Sequence, residues 1–198
     1  MGNFLSKFKF FSYLLVLTIF SCKLPPVGYF ATTPDIRAYK IESEQSLTIV
    51  IDQTVLDSFI IKSAGIAKMK VFNFRQTISD ACNNTFKTTY KGVSIDNKYS
   101  QKGVSLVLLK VNPDWNKKSS STSIIVTNGH ANSTTAYELE SKISYQAIIY
   151  IDGQKKGVLE GNVFSEKSSF KRREIPDLLK DGIKSLCQEL YKQTINFK

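Results

Sequence analysis

The chain predicts an α+β fold, with a single, mostly antiparallel sheet and two helices packed on one face of it. Three observations carry that expectation. Residues 136–165 alternate apolar and polar on either side of an Asp152-Gly153 pair, the pattern of a long β-hairpin. Phe74, Ile78, Cys82 and Phe86 recur every four residues, which marks one face of a helix. Leu179, Ile183, Leu186, Leu190 and Ile195 mark a second apolar helical face near the C-terminus. Strands and helices segregated in this way argue for helices laid against an antiparallel sheet.

Taken in order, the chain opens on Lys7 and Lys9, continues as an almost unbroken apolar run over residues 10–20, and reaches Ser21 and Cys22. A basic start, an apolar run of about 7–15 residues and a small residue form the layout of a secretory signal peptide. The run is shorter than the roughly 20 apolar residues that span a bilayer. Ile19-Phe20-Ser21-Cys22 resembles the bacterial lipobox, in which a small residue precedes the cysteine that is acylated and becomes the new N-terminus. The resemblance implies a lipoprotein signal peptide over residues 1–21 and a palmitate-type lipid on Cys22. An ordinary signal peptide that leaves Cys22 as a spare thiol is the alternative.

Residues 22–44 read as the acylated cysteine and a flexible tether, because Pro25, Pro26, Gly28 and Pro34 interrupt any periodicity. A globular domain is expected over residues 45–198. Residues 47–51 are β-rich and apolar, a strand. Residues 55–61 fit a second strand or a short helix, and Ser63-Ala64-Gly65 breaks the chain. Residues 70–90 carry the first helical stripe, with Asn73 as a cap and Gly92 beyond the end. Strands at 93–95 and 104–111 follow. Asn112-Pro113-Asp114-Trp115 then begins a loop, and residues 117–123 form a polar, low-complexity continuation. The hairpin turns within residues 151–157. The closing helix spans 174–195, with Pro176 in its first turn and Gly182 weakening it by roughly 1 kcal/mol relative to Ala.

The formal charge is +10, which favours acidic partners such as anionic lipid head groups. Export places the chain away from nucleic acid, so none is expected as a partner. The lysines are dispersed rather than blocked, so solvation of the surface explains them equally well. Lys117, Lys118, Lys155 and Lys156 are the basic candidates for binding, at a loop and at the hairpin tip. Trp115 beside them is either a partner anchor or a ring folded back over its own sheet. With Cys22 acylated, Cys82 and Cys187 remain, either as a disulfide in an oxidising compartment or as two buried thiols.

Signals for catalysis are missing. His130 is the one histidine, without a Gly-x-Ser-x-Gly elbow nearby. No Cys or His pair has zinc-ligand spacing, and no P-loop or Gly-x-Gly-x-x-Gly occurs. Asp57 with Asp80, or Glu138 with Glu140, read as solvated faces. The expectation is therefore a non-enzyme with no metal and no cofactor beyond the lipid on Cys22.

The lipobox, the tether, a helix after the first strands, a long hairpin and an amphipathic C-terminal helix together resemble small outer-membrane lipoproteins. The likeness is to the lipopolysaccharide-assembly lipoprotein LptE and to auxiliary lipoproteins of envelope ABC transporters. That resemblance implies a protein anchored in the bacterial outer membrane, with its domain facing the periplasm or the cell surface. It implies an accessory role in an envelope lipid or lipopolysaccharide transport complex, with an envelope transport protein as partner. A surface lipoprotein that binds extracellular or host ligands is the second expectation.

Overall fold

The computed structural model describes residues 27–36, 43–61, 69–127, 130–169 and 175–197. The expected signal peptide, Cys22 and the break at 63–65 lie outside the described residues. In order, the elements are β1 (Val27–Phe30), β2 (Ser43–Ile51), β3 (Phe59–Ile61), β4 (Met69–Phe72), α1 (Phe74–Phe86), β5 (Tyr90–Asp96), β6 (Val104–Thr127), β7 (His130–Ile151), β8 (Gln154–Ser169) and α2 (Ile175–Ile195).

The strands form two sheets, which corrects the expected single antiparallel one. A three-stranded sheet has the order β1-β4-β3, and a five-stranded sheet the order β5-β2-β6-β7-β8. Both are mixed. β1 runs parallel to β4, and β3 antiparallel to it. β2 is flanked by β5 and β6, both parallel to it, while β6, β7 and β8 are antiparallel. Within the stretch expected as a tether, Val27–Phe30 form β1 of the small sheet.

The parallel pairs have a physical reason. Parallel neighbours ordinarily need a crossover of a dozen or more residues. β2 and β5 have one, because β3, β4 and α1 lie between them in sequence. β5 and β6 are joined only by residues 97–103, a length that suggests a hairpin. That loop succeeds because it crosses a single strand over a short overlap. Asp96 ends opposite Val50, and Val104 begins opposite Leu47, three residues back along β2. The loop also covers the sheet face away from the helices. Ser100 donates its N–H to Ser105 Oγ at 2.9 Å, and Tyr99 stacks on Tyr150 with ring centroids 4.2 Å apart. Burial on both faces explains why Val104 to Leu108 is buried at every position.

α1 begins one residue after β4, and the turn is held from a distance. Asn73 has φ 59° and makes no side-chain cap bond. Asp57 replaces it, since its carbonyl accepts the Phe74 N–H at 2.9 Å and its Oδ1 accepts the Arg75 N–H at 3.1 Å. Arg75 returns the contact, with Nε and Nη2 donating to the Val55 carbonyl at 3.0 and 2.8 Å and Nη2 to Gln53 O at 3.0 Å. The first helical turn and the 53–57 loop therefore brace each other.

α1 packs against β2 and β5, and α2 against β7 and β8, with the two helices in contact. Cys82 meets Cys187, and one turn further on Phe86 meets Tyr191 with ring centroids 5.8 Å apart. Successive layers in the same order mean that the helices run in the same direction. Their buried faces close on Leu47, Ile49, Leu106, Leu108, Ile143 and Ile149 of the sheet.

The hairpin turn is tighter than expected. Asp152 (φ 49°) and Gly153 (φ 75°) make it alone, with Ile151 paired to Gln154. Positive φ at both positions suits the twist of the flanking strands, and Gly accepts it at no steric cost. Asp152 Oδ1 also accepts the Gly103 N–H at 2.8 Å, which ties the turn to the start of β6.

Candidate functional site

The clearest surface feature comes from a strand pair that outgrows its sheet. β6 continues through residues 112–123, expected as a loop, to Thr127. Bulges between Leu108 and Lys110 and between Lys117 and Ser119 absorb the irregular sequence. Pro113 is tolerated because β2 leaves β6 after Leu108, so that among the described residues β6 is an edge strand from there on. On the other side, the described part of β8 ends at Ser169, opposite Tyr137. From Ser121↔Ala136 to Thr127↔His130, β6 and β7 pair only with each other among the described residues. At 3.4 Å per residue this ribbon extends roughly 24 Å past the last described rung of β8.

Its chemistry is unusual for this chain. Residues 119–137 contain no Asp, Glu, Lys or Arg, although the whole chain is 22% charged. They are rich in Ser and Thr, with Ile124, Ile125 and Val126 near the end of β6. Ile124 is 68% exposed. Lysines, prolines and bulges are the usual guards of a sheet edge. Lys110, Pro113, Lys117 and both bulges guard the base of β6, and none guards the ribbon beyond Ser119. An uncharged, unguarded strand edge is fitted to accept a strand from another chain.

The binding residues expected from sequence do not converge. Lys117 and Lys118 fall at the β6 bulge, Lys117 opposite Leu139. Lys155 pairs with Tyr150 just after the turn, and both Lys155 and Lys156 are exposed. Eleven residues of β7 separate these rungs, roughly 37 Å at strand rise. The two lysine pairs therefore sit at opposite ends of the sheet and make no single basic patch. Trp115 is 4% exposed in β6, opposite Ser141, so it is a core residue and not a free anchor. Its Nε1 and Ser141 Oγ have no protein hydrogen-bond partner among the described residues. His130 opens β7 opposite Thr127 instead of lying in a loop.

Perturbed titrations lie at a turn, in the core and, for Tyr90, in the wall of an open cleft. The Thr54 hydroxyl and N–H hold Asp52 below the usual carboxylate range, with Arg75 adding to the effect. Burial pushes Tyr90 up to about 12 and also raises Tyr145. Among the described residues, no group of three or more His, Cys, Asp or Glu is placed to hold a metal ion. An open cleft lined by Ser43, Glu44, Thr89, Tyr90 and Lys91 carries an exposed Lys91–Glu44 ion pair at 3.8 Å.

Comparison with family models and with curated proteins finds no match. Among solved structures, the chain is similar to the protein XCC0632 of Xanthomonas campestris, described with the family DUF330. The TM-score is 0.51 and the identity 11%, over 85% of this chain and 94% of that one. Rare lipoprotein B of Shewanella oneidensis aligns at TM-score 0.42 and 10% identity, over 76% of this chain and 95% of its own. A minor lipoprotein of Acinetobacter baumannii aligns at 0.38 and 12%, over 76% and 91%. Of these three, the Xanthomonas protein shares the overall fold, and identities this low speak for the fold alone.

Proposed function

We propose that this chain is a lipid-anchored envelope protein of a bacterium, acting without catalysis as an accessory or assembly subunit of an envelope lipid or lipopolysaccharide transport complex. Cys22 carries the lipid, the outer membrane holds it, and the β6–β7 ribbon is the docking edge for a transport-complex partner. The observation that carries this reading is Ile19-Phe20-Ser21-Cys22 at the end of the apolar run 10–20. The ribbon supports the second half, since an isolated two-stranded ribbon is marginal in water and gains from a partner. Two or three acyl chains hold a protein to a membrane far more firmly than one, because each buried CH₂ contributes about 0.8 kcal/mol.

Metabolic labelling with a palmitate analogue tests the anchor. Label on the wild type and none on Cys22→Ala is the expected result, and label retained on the variant removes Cys22 from the reading. A photo-crosslinking residue at Thr122 or Ile124 tests the ribbon in intact cells. The same membrane partner captured from both positions, and not from Lys155, is expected. Adducts from all three positions alike would remove the ribbon as the docking edge.

A further inference from the structure

We infer that Cys82 and Cys187 are joined as a disulfide in the exported protein, fastening α1 to α2 at the centre of the core. The two sulfur atoms lie 3.8 Å apart, in van der Waals contact, although the residues are 105 positions apart in sequence. Both thiols are fully buried, and no other cysteine is described. A bond of about 2.05 Å needs the sulfurs to approach by roughly 1.8 Å, with the Cα atoms about 4.4–6.8 Å apart. The helices already place the next layer, Phe86 on Tyr191, in contact, so closure requires no sliding of one helix along the other.

The bridge rests on the exported, lipid-anchored reading, because thiols in a reducing cytoplasm stay reduced. Its chemistry is thiol–disulfide exchange with a disulfide-bearing oxidant of the envelope. One cysteine thiolate attacks a donor sulfur, forming a mixed disulfide and expelling the donor's second sulfur as a thiolate. The other cysteine, deprotonated, then attacks the protein-side sulfur and expels the donor's remaining thiolate. Two electrons pass to the donor, and the two protons lost by the cysteines go to its thiolates.

Burial orders these events. Neither sulfur is accessible once α2 is seated, and the Cys187 contact and burial hold the Cys82 thiol well above its ordinary range, so it is neutral in the folded protein. Exchange therefore precedes the docking of α2. Protein folded in reduced form keeps its thiols, and only unfolding exposes them.

The full-length protein, purified from membranes in detergent without reductant, is unfolded in guanidinium with excess maleimide and weighed intact. No adduct is expected, because Cys22 is acylated and the other two are bridged. Two adducts overturn the bridge while leaving the anchor standing. One adduct, with a cross-linked Cys82–Cys187 peptide in the digest, keeps the bridge and removes the anchor. Three adducts remove both. Thermal unfolding gives a second reading. Reductant should lower the Tm of the wild type by about 10 °C, since the closed loop is long. The Tm of Cys187→Ala should not respond to reductant, whatever its own value. Equal responses in the two proteins would overturn the bridge.

Discussion

Gly182 on α2 lies directly against Ser141 on β7: a Cβ on the glycine would sit 3.0 Å from Ser141 Oγ and 3.0 Å from Ile143 Cδ1. The closeness explains a residue that otherwise weakens the helix. Glycine lets α2 approach the sheet where Ser141 and Ser165 keep the strands low, and Ser165 Oγ donates to the Leu178 carbonyl at 3.2 Å. Gly182→Ala should change stability by less than about 1 kcal/mol, because a propensity gain of that size meets a tight contact. Gly182→Leu should destabilise by about 1–3 kcal/mol through overpacking. Urea unfolding of both variants measures this, and a Leu variant as stable as the wild type would show that the contact is not tight.

Asp57 and Arg75 carry the second prediction. Asp57→Ala removes the acceptor of the Arg75 N–H and should cost about 1 kcal/mol, as the loss of a helix cap does. Arg75→Met removes the donors that serve the Val55 and Gln53 carbonyls, for a loss of about 1–3 kcal/mol. Because the two residues share one brace, the double variant should lose less than the sum. Strict additivity in urea unfolding would separate the cap from the guanidinium contacts.

The helices were legible because their period is local. Phe74, Ile78, Cys82 and Phe86 are buried together, as are Leu179, Ile183, Leu186 and Leu190. The alternation of Leu139, Ile143, Tyr145, Ala147 and Ile149 likewise reaches the core as its spacing suggests. Parallel pairing was not legible, because direction leaves no mark in a five-residue strand and a seven-residue connection looks like a hairpin. β1 and β4 are four residues each, too short for a period to show. The ribbon was hidden by its composition, since Ser and Thr runs read as loop. Asn128-Gly129, between a β-branched run and a second Thr-rich one, is the signal that finds it. Trp115 differs from a loop anchor only through its opposition to Ser141, a relationship across strands that residues 112–115 do not contain.

Tyr90 gives the molecule an alkaline limit. Burial, helped by Tyr191, raises its folded value to about 12 from an ordinary 10. A raised value means that the folded state keeps its proton where the unfolded state has lost it. The stability this confers is complete below pH 10 and is lost as the pH climbs from 10 to 12, by at most about 2 kcal/mol. Tyr90→Phe should remove that part of the slope. Urea midpoints of the two proteins at pH 8, 10 and 11 check the sign, and identical slopes would place the alkaline transition elsewhere.

The separation of the lysine pairs makes the last prediction quantitative. Exposed charges are screened over about 8 Å at physiological ionic strength, and rungs roughly 37 Å apart lie far outside that range. Lys155→Glu with Lys156→Glu, and Lys117→Glu with Lys118→Glu, should therefore act independently on binding to anionic vesicles. If the turn end of the sheet meets the membrane, the first pair weakens binding and the second does not. If the ribbon base meets it, the order reverses. A single basic face would instead make the four-residue variant far weaker than the product of the two pairs. Vesicle flotation at low and at physiological salt distinguishes these cases, and binding unchanged by all the reversals and by salt would remove electrostatic contact with lipid head groups altogether.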